Sequence, residues 1–152
     1  MVNTFCASYN DCSDMPEVQA LVLKFEQFLG ENCAVLDSID EDRIILALRG
    51  LKTIGSLVRG QETVEKCFTD PSNSMFIRLA ALDTIRSLNC QKSSYDFKRQ
   101  LFATFSDNAK DSELRIGSYL ALMNCPSAPM VNLVKNILVT EPVNQGKYRL
   151  RQ

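Results

Sequence analysis

The 152 residues amount to about one domain, and a hydrophobic share of 45% is enough to build a core. Charged residues make up 23% and nearly cancel, at a formal charge of -1, which excludes the basic stripe of a general nucleic-acid binder and the polybasic segment that draws a chain to an anionic membrane. Histidine and tryptophan are both absent, which removes the usual general base and the commonest metal ligand, and no apolar run approaches the roughly 20 residues that span a bilayer.

Residues 1–13 read as irregular and polar, without the features of a signal peptide. A helix is expected from Pro16, capped by Ser13 or Asp14, because proline is tolerated where its missing N–H would be unpaired anyway. Val18, Leu21, Val22, Phe25, Phe28 and Leu29 fall on one face at helical spacing, and Gly30 is a natural stop. An acidic linker, 31–41, precedes a second helix over about 42–57 carrying Ile44, Ile45, Leu48, Leu51 and Ile54. Gly50 and Gly55 weaken that helix, each by roughly 1 kcal/mol relative to alanine, and such glycines permit close helix packing. A shorter helix, 61–69, shows Val64, Cys67 and Phe68 on one side.

Asp70-Pro71 breaks the pattern. Asn73 or Ser74 then caps a helix over 75–88 that is apolar over much of its girth, as expected of a helix sandwiched between others. Ser93 or Ser94 caps 95–105, with Leu101, Phe102 and Phe105 inward. Asp111 or Ser112 caps 113–123, which Asn124-Cys125-Pro126-Ser127 ends. The last helix, 129–139, aligns Met130, Leu133, Val134, Ile137 and Leu138, and the tail 141–152 has no amphipathic pattern.

Three segments superpose: Ala47-Leu48-Arg49-Gly50-Leu51-Lys52, Ala81-Leu82-Asp83-Thr84-Ile85-Arg86 and Ser118-Tyr119-Leu120-Ala121-Leu122-Met123. Their first positions lie 34 and then 37 residues apart, and each sits in the longer helix of a pair. Such a period with two helices per unit predicts an all-α fold, an α-solenoid of stacked antiparallel hairpins in a HEAT/armadillo-like right-handed superhelix. One hairpin cannot bury its own apolar face, whereas stacked neighbours can. Ala47, Ala81 and Ser118 would be the small residues at the closest contacts. The competing expectation is a non-repeating helical bundle.

The run Phe76-Ile-Arg-Leu-Ala-Ala-Leu-Asp-Thr-Ile-Arg-Ser-Leu88 and the run Asp111-Ser-Glu-Leu-Arg-Ile-Gly-Ser-Tyr-Leu-Ala-Leu-Met-Asn-Cys-Pro-Ser127 resemble the large lipid transfer protein family of vitellogenins, apolipophorins, apolipoprotein B and the microsomal triglyceride transfer protein. Ala47-Leu-Arg-Gly-Leu-Lys-Thr-Ile-Gly55 is similar to a helix of the same domain. The resemblance covers about residues 5–145, and apolipophorin-like and vitellogenin-like arthropod proteins stand nearest. It implies a horseshoe of helices around β-sheets that line a lipid cavity, with the lipid held mainly by the sheets. Lipid and the remaining domains of a parent protein would be the partners, in a secreted lipoprotein. The expected organisation is an irregular segment 1–13, the superhelix 14–140 and a divergent tail 141–152. The family's preceding β-barrel is not in this chain, and the ending after Gln145 departs from the family, as expected of a truncated piece. The competing function is a freestanding protein-interaction adaptor.

No nucleophile and acid–base constellation is present, so no catalytic, cofactor-binding or metal-ligating residue is expected, and no cofactor. Six cysteines stand at 6, 12, 33, 67, 90 and 125, none in a C-x-x-C pair. Cys6 and Cys12 flank a short turn, and the resemblance implies that they form a disulfide, as a close pair does near the start of the family's helical domain. Cys67 reads as a small core residue. Cys90 and Cys125 each follow a helix end, and whether Cys33, Cys67, Cys90 or Cys125 is bridged stays open. Arg78 and Arg115 occupy corresponding helices, either as solvated surface charges or as a ladder of charge and carbonyl contacts, with the solvated reading preferred. Asp37, Asp40, Glu41 and Asp42 read as a solvated acidic turn, since the EF-hand pattern is absent. Phe97, Phe102, Phe105 and Tyr119 read as core. No N-x-[ST] sequon occurs.

Overall fold

The computed structural model describes residues 14–55 and 61–140. They form seven helices, α1 (Pro16–Leu29), α2 (Ser38–Thr53), α3 (Gln61–Thr69), α4 (Met75–Ile85), α5 (Tyr95–Ser106), α6 (Ser112–Leu122) and α7 (Ala128–Thr140), with no strand among the described residues. The segment carrying Cys6 and Cys12 and the tail from residue 141 lie outside them.

Helix ends follow local chemistry. Proline opens α1, but Met15 occupies its cap without a side-chain bond, in place of the expected Ser13 or Asp14. Gly30 ends α1 at φ +60°, a conformation that glycine reaches without steric strain. Asp37 caps α2 by accepting from the amides of Ile39 and Asp40. That helix therefore starts four residues before the expected position, and the acidic cluster is a helix start rather than a solvated loop. Asp40 and Glu41 sit in its first turn, where the helix dipole favours negative charge. Ser74, Ser94 and Asp111 cap α4, α5 and α6.

The first six helices make two layers. α2, α4 and α6 pack side by side in one, while α1, α3 and α5 follow one another in the second. The closest pairs across the layers are α1 with α2, α3 with α4, and α5 with α6. The tight hairpin thus joins α2, α4 and α6 each to the helix before it, not to the one after. At 11 residues, α4 and α6 are not the longer members expected, since α5 has 12 and α7 has 13. The connections inside the α3–α4 and α5–α6 pairs, 70–74 and 107–111, are five residues each, short enough to set antiparallel neighbours. One continuous core runs from Val22 to Val134.

The unit length is constant. The capping residues Asp37, Ser74 and Asp111 are spaced by 37 residues. In this register Ile44, Ala81 and Ser118 correspond, as do Ala47, Thr84 and Ala121, and all six are buried. The first spacing of 34 expected from the apolar pattern is therefore short by three. A helix nearly repeats itself after three to four residues, so an apolar stripe matches almost as well one turn out of place, and the caps decide.

Candidate functional site

The connections between units are built from repeated parts. In the α3–α4 hairpin the Arg78 Nε donates to the Phe68 carbonyl at 3.0 Å, and in the α5–α6 hairpin the Arg115 Nε donates to the Phe105 carbonyl at 3.0 Å. Each arginine thus satisfies a carbonyl in the last turn of the preceding helix, one of the groups a helix leaves without an internal partner. Arg115 is only 8% exposed, and the Arg78 guanidinium also lies 5.4 Å from the centre of the Phe68 ring. The preference for solvated arginines is corrected; these are carbonyl clips at equivalent positions.

The loop before each clip repeats too. Asp70 accepts from the Ser72 amide and Asp107 from the Ala109 amide, both at 2.9 Å. The Ser72 hydroxyl and amide hold the Asp70 carboxyl below the ordinary aspartate range, with the Arg78 charge adding to the effect. Burial lowers the Arg78 guanidinium, opposed by Asp70. Phe105 packs against Tyr119 with ring centres 5.6 Å apart, and burial raises the Tyr119 phenol.

Within the α2–α4–α6 layer the contact is close. The Thr84 hydroxyl lies 2.9 Å from the Leu48 carbonyl of α2 and 2.8 Å from its own Ala80 carbonyl, so one proton serves both. A methyl group at Gly50 would overlap the Phe25 ring, one at Gly117 would reach 2.9 Å from Leu82 Cδ1, and one at Gly55 would run into the Ser87 carbonyl. The close packing expected of Gly50 and Gly55 is present. Ser118 is fully buried as expected, and its hydroxyl has no hydrogen-bond partner.

Both layers expose apolar side chains, Leu23, Phe28 and Tyr95 in one and Leu46 and Phe76 in the other, but open clefts lie on one of them. On α3 the exposed Glu62 and Lys66 pair with each other, and on α5 Asp96 and Arg99 do the same. The open face of α2, α4 and α6 instead holds two adjoining clefts. Ile45, Phe76, Leu79 and Ala80 line the first, of about 270 Å³, together with Arg49, Lys52, Asp83 and Thr84. Leu79, Leu82, Ile116 and Leu120 line the second, of about 250 Å³, together with Asp83, Arg86 and Glu113. Phe76 is 72% exposed. Lys52, Asp83 and Arg86 make a chain of charges along this face, with Lys52 Nζ 2.5 Å from Asp83 Oδ2 and Arg86 3.5 Å from Asp83 Oδ1.

Two disulfides tie neighbouring units. Cys33 joins Cys67 with Cα atoms 5.0 Å apart, and Cys90 joins Cys125 at 5.9 Å, both inside the usual range for a bridge. Cys67 is buried, as a core residue would be, but it is bridged. Cys6 and Cys12, the pair implied by the resemblance, lie outside the described residues. The sequence did carry a signal for the other pairs. Their separations of 34 and 35 residues are close to one unit, which places the partners in adjacent units. Among the described residues no group of Cys, Asp and Glu is arranged to hold a metal ion, and no helix is long and apolar enough to cross a membrane.

Comparison with known proteins fits this architecture. The family model described as the vitellogenin TPR domain matches residues 1–146. Apolipophorins of Locusta migratoria are 32% identical over 145 residues, covering 95% of this chain and 4% of the relative. Apolipophorins of Drosophila melanogaster are 30% identical, again over 95% of this chain and 4% of the relative. Apolipoprotein B-100 of Homo sapiens is 28% identical over 113 residues, covering 71% of this chain and 2% of the relative. The chain thus spans only a small fraction of the length of these relatives. No solved structure matches it. The chain belongs to the vitellogenin TPR domain family, and with it to the large lipid transfer proteins that its sequence resembles.

Proposed function

We propose that this chain is a non-catalytic wall segment of a lipid transporter, and that its α2–α4–α6 face rests against lipid-enclosing β-sheets of a longer protein. The contrast between the two outer faces supports this reading. An exposed charge pair stands on each of α3 and α5, whereas Phe76, Leu79, Ile116 and Leu120 line open clefts on the other side, beside the charged Lys52, Asp83 and Arg86. Apolar side chains left at a surface mark a place that another surface covers. The lipid itself would be held by the parent protein's sheets, since the clefts here are shallow and shared between units. Two disulfides fit an oxidising compartment and hence a secreted or lumenal setting.

The isolated chain should then self-associate and bind an apolar-surface dye. Phe76→Asp with Leu79→Asp should reduce both signals, while Glu62→Gln on the opposite layer should leave them unchanged. Sedimentation and dye fluorescence read the result. A monodisperse monomer that binds no dye would count against the proposal and favour a freestanding adaptor.

A further inference from the structure

The two bridges differ in what surrounds them. Cys33 and Cys67 are wholly buried, and the Asn73 side chain closes that site by donating to the carbonyls of Asn32 and Cys67 at 2.7 and 3.0 Å. Cys90 and Cys125 are only partly covered. They lie in the turns that leave α4 and α6 and line a recess with Ser93, Lys98 and Met130. α7 begins three residues after Cys125. It buries Val134 alone, with Met130, Ile137 and Leu138 partly covered against the core. The bridge therefore pins the base of the helix that has the least buried surface of its own.

We propose that Cys90–Cys125 is a thiol-addressable latch on α7, opened by a dithiol reductant while Cys33–Cys67 stays closed. A thiolate of the reductant bonds to one sulfur of the pair and breaks the S–S bond, and the other sulfur leaves as a thiolate. The second thiolate of the reductant then displaces the first cysteine and closes the reductant's own disulfide. Two electrons pass to the protein, and two protons taken up leave Cys90 and Cys125 as thiols. Access selects between the bridges, because the attacking sulfur must reach a sulfur of the pair. Lys98 lines the same recess, and a positive charge on that residue favours both the incoming and the departing thiolate. Once the latch is open, α7 is held by Val134 and its half-covered neighbours, and local opening begins where buried contacts are fewest. Its release uncovers Ile85, Leu101 and Leu122 in the same recess.

The test uses the full 152-residue chain under native conditions, with a time course of dithiothreitol, alkylation of the freed thiols and their location by mass spectrometry. Amide hydrogen exchange is followed in parallel. Cys90 and Cys125 should label at least about tenfold faster than Cys33 and Cys67, and exchange in 128–140 should rise in step while 61–85 stays protected. Lys98→Gln should slow labelling of the exposed pair without altering exchange before reduction. The Cys90→Ser/Cys125→Ser variant should show fast exchange in α7 with no reductant. Equal labelling of both pairs, or an opened latch with α7 exchange unchanged, overturns the proposal.

Discussion

At the scale of single residues, function follows from what each side chain does at a junction between units. Ser118 is the exception. Its hydroxyl is buried without a hydrogen bond, and a buried polar group in that state is destabilising by about 1–3 kcal/mol. The corresponding position in α4 is Ala81, which is also fully buried. Ser118→Ala should therefore stabilise the chain by roughly 1 kcal/mol, read as a raised denaturant midpoint with an unchanged slope. A fall in the midpoint would show that the hydroxyl has a partner in solution. The burial of Ser118 was legible from its alignment with Ala81, although the third member of that set is Ile44 and not the Ala47 expected. The arginine clips were not. Arg78 and Arg115 look like surface charges in the sequence because their partners are backbone carbonyls, which every residue carries. Their separation by one unit and their common distance of ten residues from a phenylalanine are what favour the carbonyl reading, the alternative that was not preferred.

At the scale of elements, the sequence told where helices lie better than where they begin. The caps of α4, α5 and α6 each fell within the expected pair of residues, because serine and aspartate offer an oxygen to the first free amides. The start of α2 was misplaced because four acidic residues resemble a solvated turn, although the same charges suit a helix N-terminus. Pairing between elements was harder to see, since apolar periodicity gives a face but not the neighbour on it. Gly55 shows what one element demands of another. It lies just past α2, where a Cβ would meet the backbone of Ser87 beyond α4, and backbone cannot swing aside as a side-chain tip does. Gly55→Ala should cost about 1–3 kcal/mol through forced separation of the two units. Chemical denaturation measures that loss. An unchanged stability would mean that the junction at Gly55 and Ser87 is looser than described.

At the scale of the whole molecule, the units touch mainly their neighbours, so stability is distributed along the chain as a sum of local terms. The Cys33–Cys67 bridge tests this directly. It closes a loop of 34 residues that contains α2 entire, and constraint of the unfolded chain at that length is worth roughly 3–4 kcal/mol. Cys33→Ala with Cys67→Ala should lower the stability of the first units by about 2–4 kcal/mol. Because Cys90–Cys125 lies in later units, α5 and α6 should keep most of their protection. Hydrogen exchange resolved by segment distinguishes the outcomes: faster exchange confined to 16–69 is the signature of a solenoid whose units fail one at a time. An equal loss of protection from α1 to α6 would instead mean that all the helices share one cooperative transition, as in a bundle around a common core.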